Sequence, residues 1–80
     1  MTAKLAETQM WQTNLASLIR SGLFTRAETG ELNGLFTVVG VYGDETYSAP
    51  MAKYSDSRRA ADAANIVNQL AKAPRSVESN

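Results

Sequence analysis

The chain has no cysteine and no histidine among its 80 residues, only two prolines and a single tryptophan. Without cysteine there are no disulfides and no thiolate chemistry. Without histidine, the side chain most used for proton transfer near neutral pH and for zinc ligation is missing too. The catalytic groups left are eight carboxylates, the hydroxyls and the lysines, and no two carboxylates share a setting that would push a pKa towards neutrality. The composition therefore points away from an enzyme, and no metal, cofactor or small-molecule substrate is expected. An excess of one charge is also lacking: eight basic residues balance eight acidic ones, so the whole molecule carries no field that draws it to nucleic acid. No apolar run reaches the length of a membrane span or a signal peptide, which leads to the expectation of a cytoplasmic, non-membrane chain. The five glycines stand in separate turns and strands, so they form neither a phosphate-binding nor a calcium-binding loop.

What is present is patterned. A chain this short buries only about 60% of its unfolded surface, so one compact domain is expected over residues 1–74, with a polar tail at 75–80. Between residues 3 and 21, Trp11, Leu15, Leu18 and Ile19 recur on one side at helical spacing, with Leu5 at the edge and Gln9, Thr13, Ser17 and Arg20 opposite. Gly22 stands where a left-handed residue ends such a helix, and Leu23 is the apolar residue that follows the cap. A short strand is predicted over 23–27, a loop over the turn formers of 28–34, and a strand apolar on both faces over 35–42. Gly43, Asp44 and Glu45 then turn the chain into a third strand over 46–53, which Pro50 assigns to a sheet edge. Ser55 or Asp56 is placed to cap a last helix. Ala60, Ala63, Ala64, Val67, Leu70 and Ala71 form one face of it and Arg58, Asp62, Asn65, Gln69 and Lys72 the other, up to Pro74. The repeated Gly-Leu-Phe-Thr at 22–25 and 34–37 has no matching flanks and reads as coincidence. The fold expected is α+β: α-β-β-β-α, with two helices on one face of a three-stranded antiparallel sheet.

Charge is unevenly spread within the neutral total. From residue 27 to 52 the only charges are Glu28, Glu31, Asp44 and Glu45, whereas Lys53, Arg58, Arg59, Lys72 and Arg75 outnumber Asp56 and Asp62 further on. Two acidic loops are expected at opposite ends of a meander, about 25 Å apart, flanking an extended site on a partner. The uncovered sheet face is expected to expose some of Phe36, Val38, Tyr42, Tyr47 and Met51, with Phe36 turned into the core. Such a face suits a homodimer or a docking surface. Trp11 belongs to the helix stripe and so to the core, while Met10 points away from it. The expected protein-binding set is thus Glu28, Glu31, Asp44, Glu45, Tyr42, Tyr47 and Met10.

Two resemblances follow from these residues. A cysteine-free, histidine-free, neutral domain of this size with acidic loops looks like the small phage-encoded inhibitors of the anti-CRISPR type. That likeness implies docking on a protein subunit of an RNA-guided surveillance complex in the host cytoplasm, with carboxylates mimicking nucleic acid and target DNA excluded. The order α-β-β-β-α, with Ser57-Arg58-Arg59-Ala60-Ala61 opening the last helix, resembles the double-stranded-RNA-binding domain. That resemblance implies an alternative role in which Arg58, Arg59 and Lys72 grip phosphates, with Asp62 standing where the family has a third basic residue.

Overall fold

The computed structural model describes residues 8–72; the part of the first helix expected before residue 8, the stop at Pro74 and the tail lie outside them, while Thr8 and Gln9, expected to be helical, are not: Gln9 is extended and caps a helix that starts at Met10. Two helices and a three-stranded antiparallel sheet follow in the order α1 (Met10–Ser21), β1 (Phe24–Leu32), β2 (Leu35–Tyr42), β3 (Ala52–Tyr54) and α2 (Ser57–Lys72), with β2 in the middle of the sheet. This is the α+β arrangement expected from the sequence, with both helices packed on one sheet face.

Helix α1 is started and stopped by identifiable groups. The buried Gln12 accepts the Gln9 backbone N–H at its Oε1, 2.8 Å away, and its Nε2 donates to the Ala63 carbonyl of α2 at 3.4 Å. One amide therefore satisfies a donor at the helix start and ties the two helices together. At the other end Gly22 adopts φ 97°, its N–H bonding the Ile19 carbonyl while the Leu23 N–H reaches the Leu18 carbonyl, the paired bonds of a Schellman stop. The buried stripe is turned slightly from the one expected: Gln12, Leu15 and Ala16 are buried, Trp11 and Ile19 are half-buried, and Leu18 lies at the margin. Gln12 can take a buried place because its amide is paired on both sides, and the small Ala16 packs into the core beside Leu15.

Helix α2 begins where Asp56 accepts the Arg58 backbone N–H at 3.0 Å, a side-chain cap on an otherwise unpaired donor. Its Ala60, Ala63, Ala64 and Val67 are buried against Leu15, Ala16, Phe24, Ala27 and Val38. Small residues on α2 let the helix lie close to the sheet, and the core is correspondingly thin.

The sheet departs from expectation in its first and third strands. Residues 28–32 are not a loop: they pair one by one with Val39 to Leu35, and the turn shrinks to Asn33-Gly34, with φ 53° and 80°. Both residues are left-handed, as a two-residue hairpin turn of matching twist requires, and pairing along the β-branched β2 outweighs the turn propensity of Glu28, Thr29 and Gly30. The third strand is broken. Tyr47 bridges Val41 and the Ser48 N–H donates to the Gly40 carbonyl, but pairing lapses at Ala49 and Pro50 before β3 resumes at Ala52. At the lapse the Ser48 hydroxyl accepts the Gly40 N–H at 2.9 Å. Pro50, which has no N–H to donate, sits in this interruption on the edge.

The sheet faces are assigned by the same contacts. Phe24 seats its ring on Gly40, where a Cβ would come within 2.8 Å of ring carbons, and Tyr42 packs beside it with ring centroids 4.8 Å apart. Phe36, Val38, Gly40 and Tyr42 therefore face the helices. Leu35, Thr37, Val39 and Val41 face away from them.

Candidate protein-binding face

The expected acidic site is reorganised by Arg26. This residue stands opposite Val41 on β1, on the face away from the helices, with Glu28 two residues further along the same face. Its Nε donates to Glu28 Oε2 at 2.6 Å and its Nη2 to Glu45 Oε1 at 3.1 Å. Glu28 and Glu45, expected to lie about one strand length apart, are thus drawn to one guanidinium. The cause is simple: the strand continues past residue 27, so Glu28 lies mid-strand opposite Val39, on the same face as Arg26, whose other arm reaches the β2–β3 turn. Hydrogen bonds to Glu45 and Glu28 hold the Arg26 guanidinium pKa above its ordinary value. The groups are all substantially exposed, so the triad sets geometry more than it adds stability.

The other two carboxylates are placed differently. Asp44 accepts the Thr46 hydroxyl at 2.6 Å and the Thr46 backbone N–H at 3.1 Å, which hold its carboxyl below the ordinary value of 3.8. It braces the turn that carries Glu45, whose φ is 72°. Glu31 is exposed near the Asn33-Gly34 turn, at the far end of β1. The two ion pairs among the described residues both belong to Arg26, and no three acidic side chains converge there. Glu31 and Asp44 are the carboxylates outside the triad.

The expected apolar companions also separate. Tyr47 is 62% exposed and Met51 lies at the margin of exposure, as anticipated. Tyr42 does not join them, because its ring packs at a tilt against Phe24 on the helix side, and neither Phe36 nor Val38 is on the open face. Met10 is 77% exposed but opens α1, in the helix layer, and shares no face with Tyr47.

A groove of about 410 Å³ runs across the open face. Thr37 and Val39 of β2 form its floor, Gly30 and Leu32 one side, and Tyr47 and Pro50 the other. Thr37 is polar yet only 3% exposed, and Gly30 lies opposite it in the ladder. A Cβ at residue 30 would stand 3.2 Å from the Thr37 hydroxyl oxygen, so glycine keeps the floor open. Leu32 and Leu35 add exposed apolar surface at the end of the hairpin. Sequence reasoning did not single out this groove. Its signal was Asn33-Gly34, the strongest short hairpin mark, which puts Gly30 beside Thr37 once β1 is extended to the turn.

The basic residues of the alternative site are exposed on α2, but not together. Arg58 and Arg59 lie in its first turn and Lys72 in its last, roughly 20 Å apart at the rise of an α-helix. Asp62 shares a shallow cleft with Arg59, Gln12 and Tyr54. Among the described residues no helix is long and apolar enough to cross a membrane. Comparison of the chain with protein-family models, with curated proteins and with solved structures finds no match.

Proposed function

We propose that this chain is a non-enzymatic protein-binding inhibitor that docks through the open face of its sheet. The observation that carries this reading is the groove over Thr37 and Val39, edged by the exposed Tyr47 and Leu32 on the face turned away from α1 and α2. A tyrosine beside a groove is the composition of an interface centre, and the exposed Tyr47, Leu32 and Leu35 together on one face of a small domain suit docking. The partner that fits offers an apolar side chain to the groove and basic groups to the exposed carboxylates beyond it, Asp44 in the β2–β3 turn and Glu31, opposite Phe36 on β1. In its specific form the reading is an inhibitor of the anti-CRISPR type. The basic surface is then a nucleic-acid-binding subunit of an RNA-guided surveillance complex, and target DNA is excluded by occupancy. Carboxylate mimicry is narrower here than the sequence suggests, because Glu28 and Glu45 are engaged by Arg26.

The test is inhibition of target-duplex binding by purified surveillance complexes, comparing Tyr47→Ala and Leu32→Ser with Arg58→Ala/Arg59→Ala. The reading expects inhibition of at least one complex, weakened by the groove variants and retained by the helix variant. Inhibition of none, or loss only in the helix variant, overturns it. The second reading, duplex RNA binding through α2, is favoured by the α-β-β-β-α order and by the exposure of Arg58, Arg59 and Lys72. It expects the helix variant alone to lose affinity for RNA.

A further inference from the structure

Among the described residues, the outer edge of β1 is closed at one point and open at another. Asn68 of α2 reaches across to Ala27, accepting its N–H at 2.9 Å and donating to its carbonyl at 3.0 Å. Both backbone groups of Ala27 therefore point away from β2. Strand alternation turns those of Thr29 and Glu31 to the same outer edge, while Glu28, Gly30 and Leu32 bond inward to β2. The open stretch is short, bounded by the Asn68 clasp at one end and the Asn33-Gly34 turn at the other.

The geometry points to self-association: two copies of this chain pair their β1 edges antiparallel about a twofold axis at Gly30, making one six-stranded sheet. In that register Thr29 of each copy exchanges both backbone hydrogen bonds with Glu31 of the other, four bonds in all, and the two Gly30 residues face each other at the axis. This central pair is not hydrogen-bonded and is the closest approach between the strands, where glycine has no side chain to clash. Glu28 falls opposite Leu32 of the partner, and Glu31 opposite the partner's Thr29, whose hydroxyl can donate to it. No carboxylate is set directly against another. Ala27, held by Asn68, falls opposite Asn33 of the partner, where that strand already turns away. The paired stretch thus fits between clasp and turn.

The other sheet edge does not compete. It is three residues long, interrupted at Ala49 and Pro50, and carries the exposed Lys53, features that blunt an edge. One usable edge per copy closes the assembly at two rather than extending it into a fibre. The pairing leaves both open faces on the same side of a continuous sheet, whatever partner those faces meet.

Sedimentation equilibrium of the full chain from about 10 μM to about 1 mM, the range of weak interfaces, tests this together with amide hydrogen exchange. The average mass is expected to climb towards twice that of the monomer. The Thr29 and Glu31 amides, which point away from β2, are expected to slow at least about tenfold at the highest concentration. Thr29→Pro removes an outward N–H that β2 does not use and is expected to hold the monomer mass. A mass that stays monomeric throughout, a dimer that forms as strongly with Thr29→Pro, or a dimer in which both amides exchange as in the monomer overturns the pairing. If Thr29→Pro does not fold, the exchange measurement on the unaltered chain decides alone.

Discussion

Replacing Asn68 by alanine removes both hydrogen bonds that join α2 to the outer edge of β1. Ala27, their partner, is only 3% exposed, and the bonds of 2.9 and 3.0 Å are both to its backbone. A net contribution of about 1 kcal/mol per bond gives about 2 kcal/mol, and any backbone group left buried without water adds about 1 kcal/mol or more. Alanine returns about 0.5 kcal/mol through its better helix propensity. The expected loss is about 2–3 kcal/mol, out of a total of only about 5 kcal/mol for a domain at the small end of the range. In a chain of this size it lowers the melting temperature by roughly 10–20 °C. Thermal and urea unfolding followed by circular dichroism measure it.

The aspartate variant separates the mechanism from a general loss of packing. Asn68→Asp keeps the size and the acceptor for the Ala27 N–H, but it loses the donor and sets a carboxylate against the Ala27 carbonyl. At neutral pH it is expected to be at least as unstable as Asn68→Ala. Proton uptake at low pH restores an O–H donor, so its deficit relative to the unaltered chain should shrink as the pH falls. A loss below about 0.5 kcal/mol for Asn68→Ala, with Asn68→Asp unaffected at neutral pH, refutes the clasp.

Two further effects follow from the turn and the core. The Thr46 bonds hold Asp44 below its ordinary value of 3.8, so its stabilising contribution is complete above that value and is lost as the pH falls through the lower, folded one. Asp44→Asn keeps an acceptor oxygen and removes the titration, and it should flatten the acid limb of a urea-midpoint profile below about pH 4. Gly40→Ala drives a Cβ to 2.8 Å from the buried Phe24 ring and is expected to cost about 1–3 kcal/mol. The added substitution Phe24→Leu should recover part of that loss in a double-mutant cycle of unfolding free energies.

Both helices and β2 were legible in the sequence because each is specified by its own residues: the alanine-and-valine stripe of α2, the left-handed Gly22, the β-branched run of 35–42. The length of β1 was not, since Glu28, Thr29 and Gly30 favour turns by themselves and become strand through pairing with Val39, Val38 and Thr37. Nor did periodicity show which face of β2 the helices take, as both are apolar. Gly40 settles it by admitting the Phe24 ring. The acidic set was misplaced for a related reason. Arg26 stands one residue before the stretch whose charges looked uniformly negative, and only the extended strand brings it alongside Glu28 and Glu45. Contacts such as Asn68 to Ala27, 41 residues apart, have no local sign at all.

The engagement of Glu28 and Glu45 by Arg26 makes salt dependence a direct discriminator between the two functional readings. Binding through α2 to duplex RNA would rest on Arg58, Arg59 and Lys72, and each phosphate they neutralise releases condensed counterions. Taking the duplex value of about −0.9 per contact, three contacts give a slope of log affinity on log salt near −2.7, or an affinity loss of roughly 40-fold between about 50 and about 200 mM salt. Docking through the open face draws mainly on the apolar groove, which salt does not screen. Its charged contribution is confined to the exposed Glu31 and Asp44, away from the groove floor, where it changes association rate more than affinity. The expected loss over the same range is no more than a few-fold, measured by titration against a purified surveillance complex, with a duplex of about 16 base pairs as the RNA ligand. A steep slope with the protein partner would mean that charge, not the groove, carries the contact, and the open-face reading would fall. A shallow slope that becomes no binding in Tyr47→Ala would place the contact on the groove.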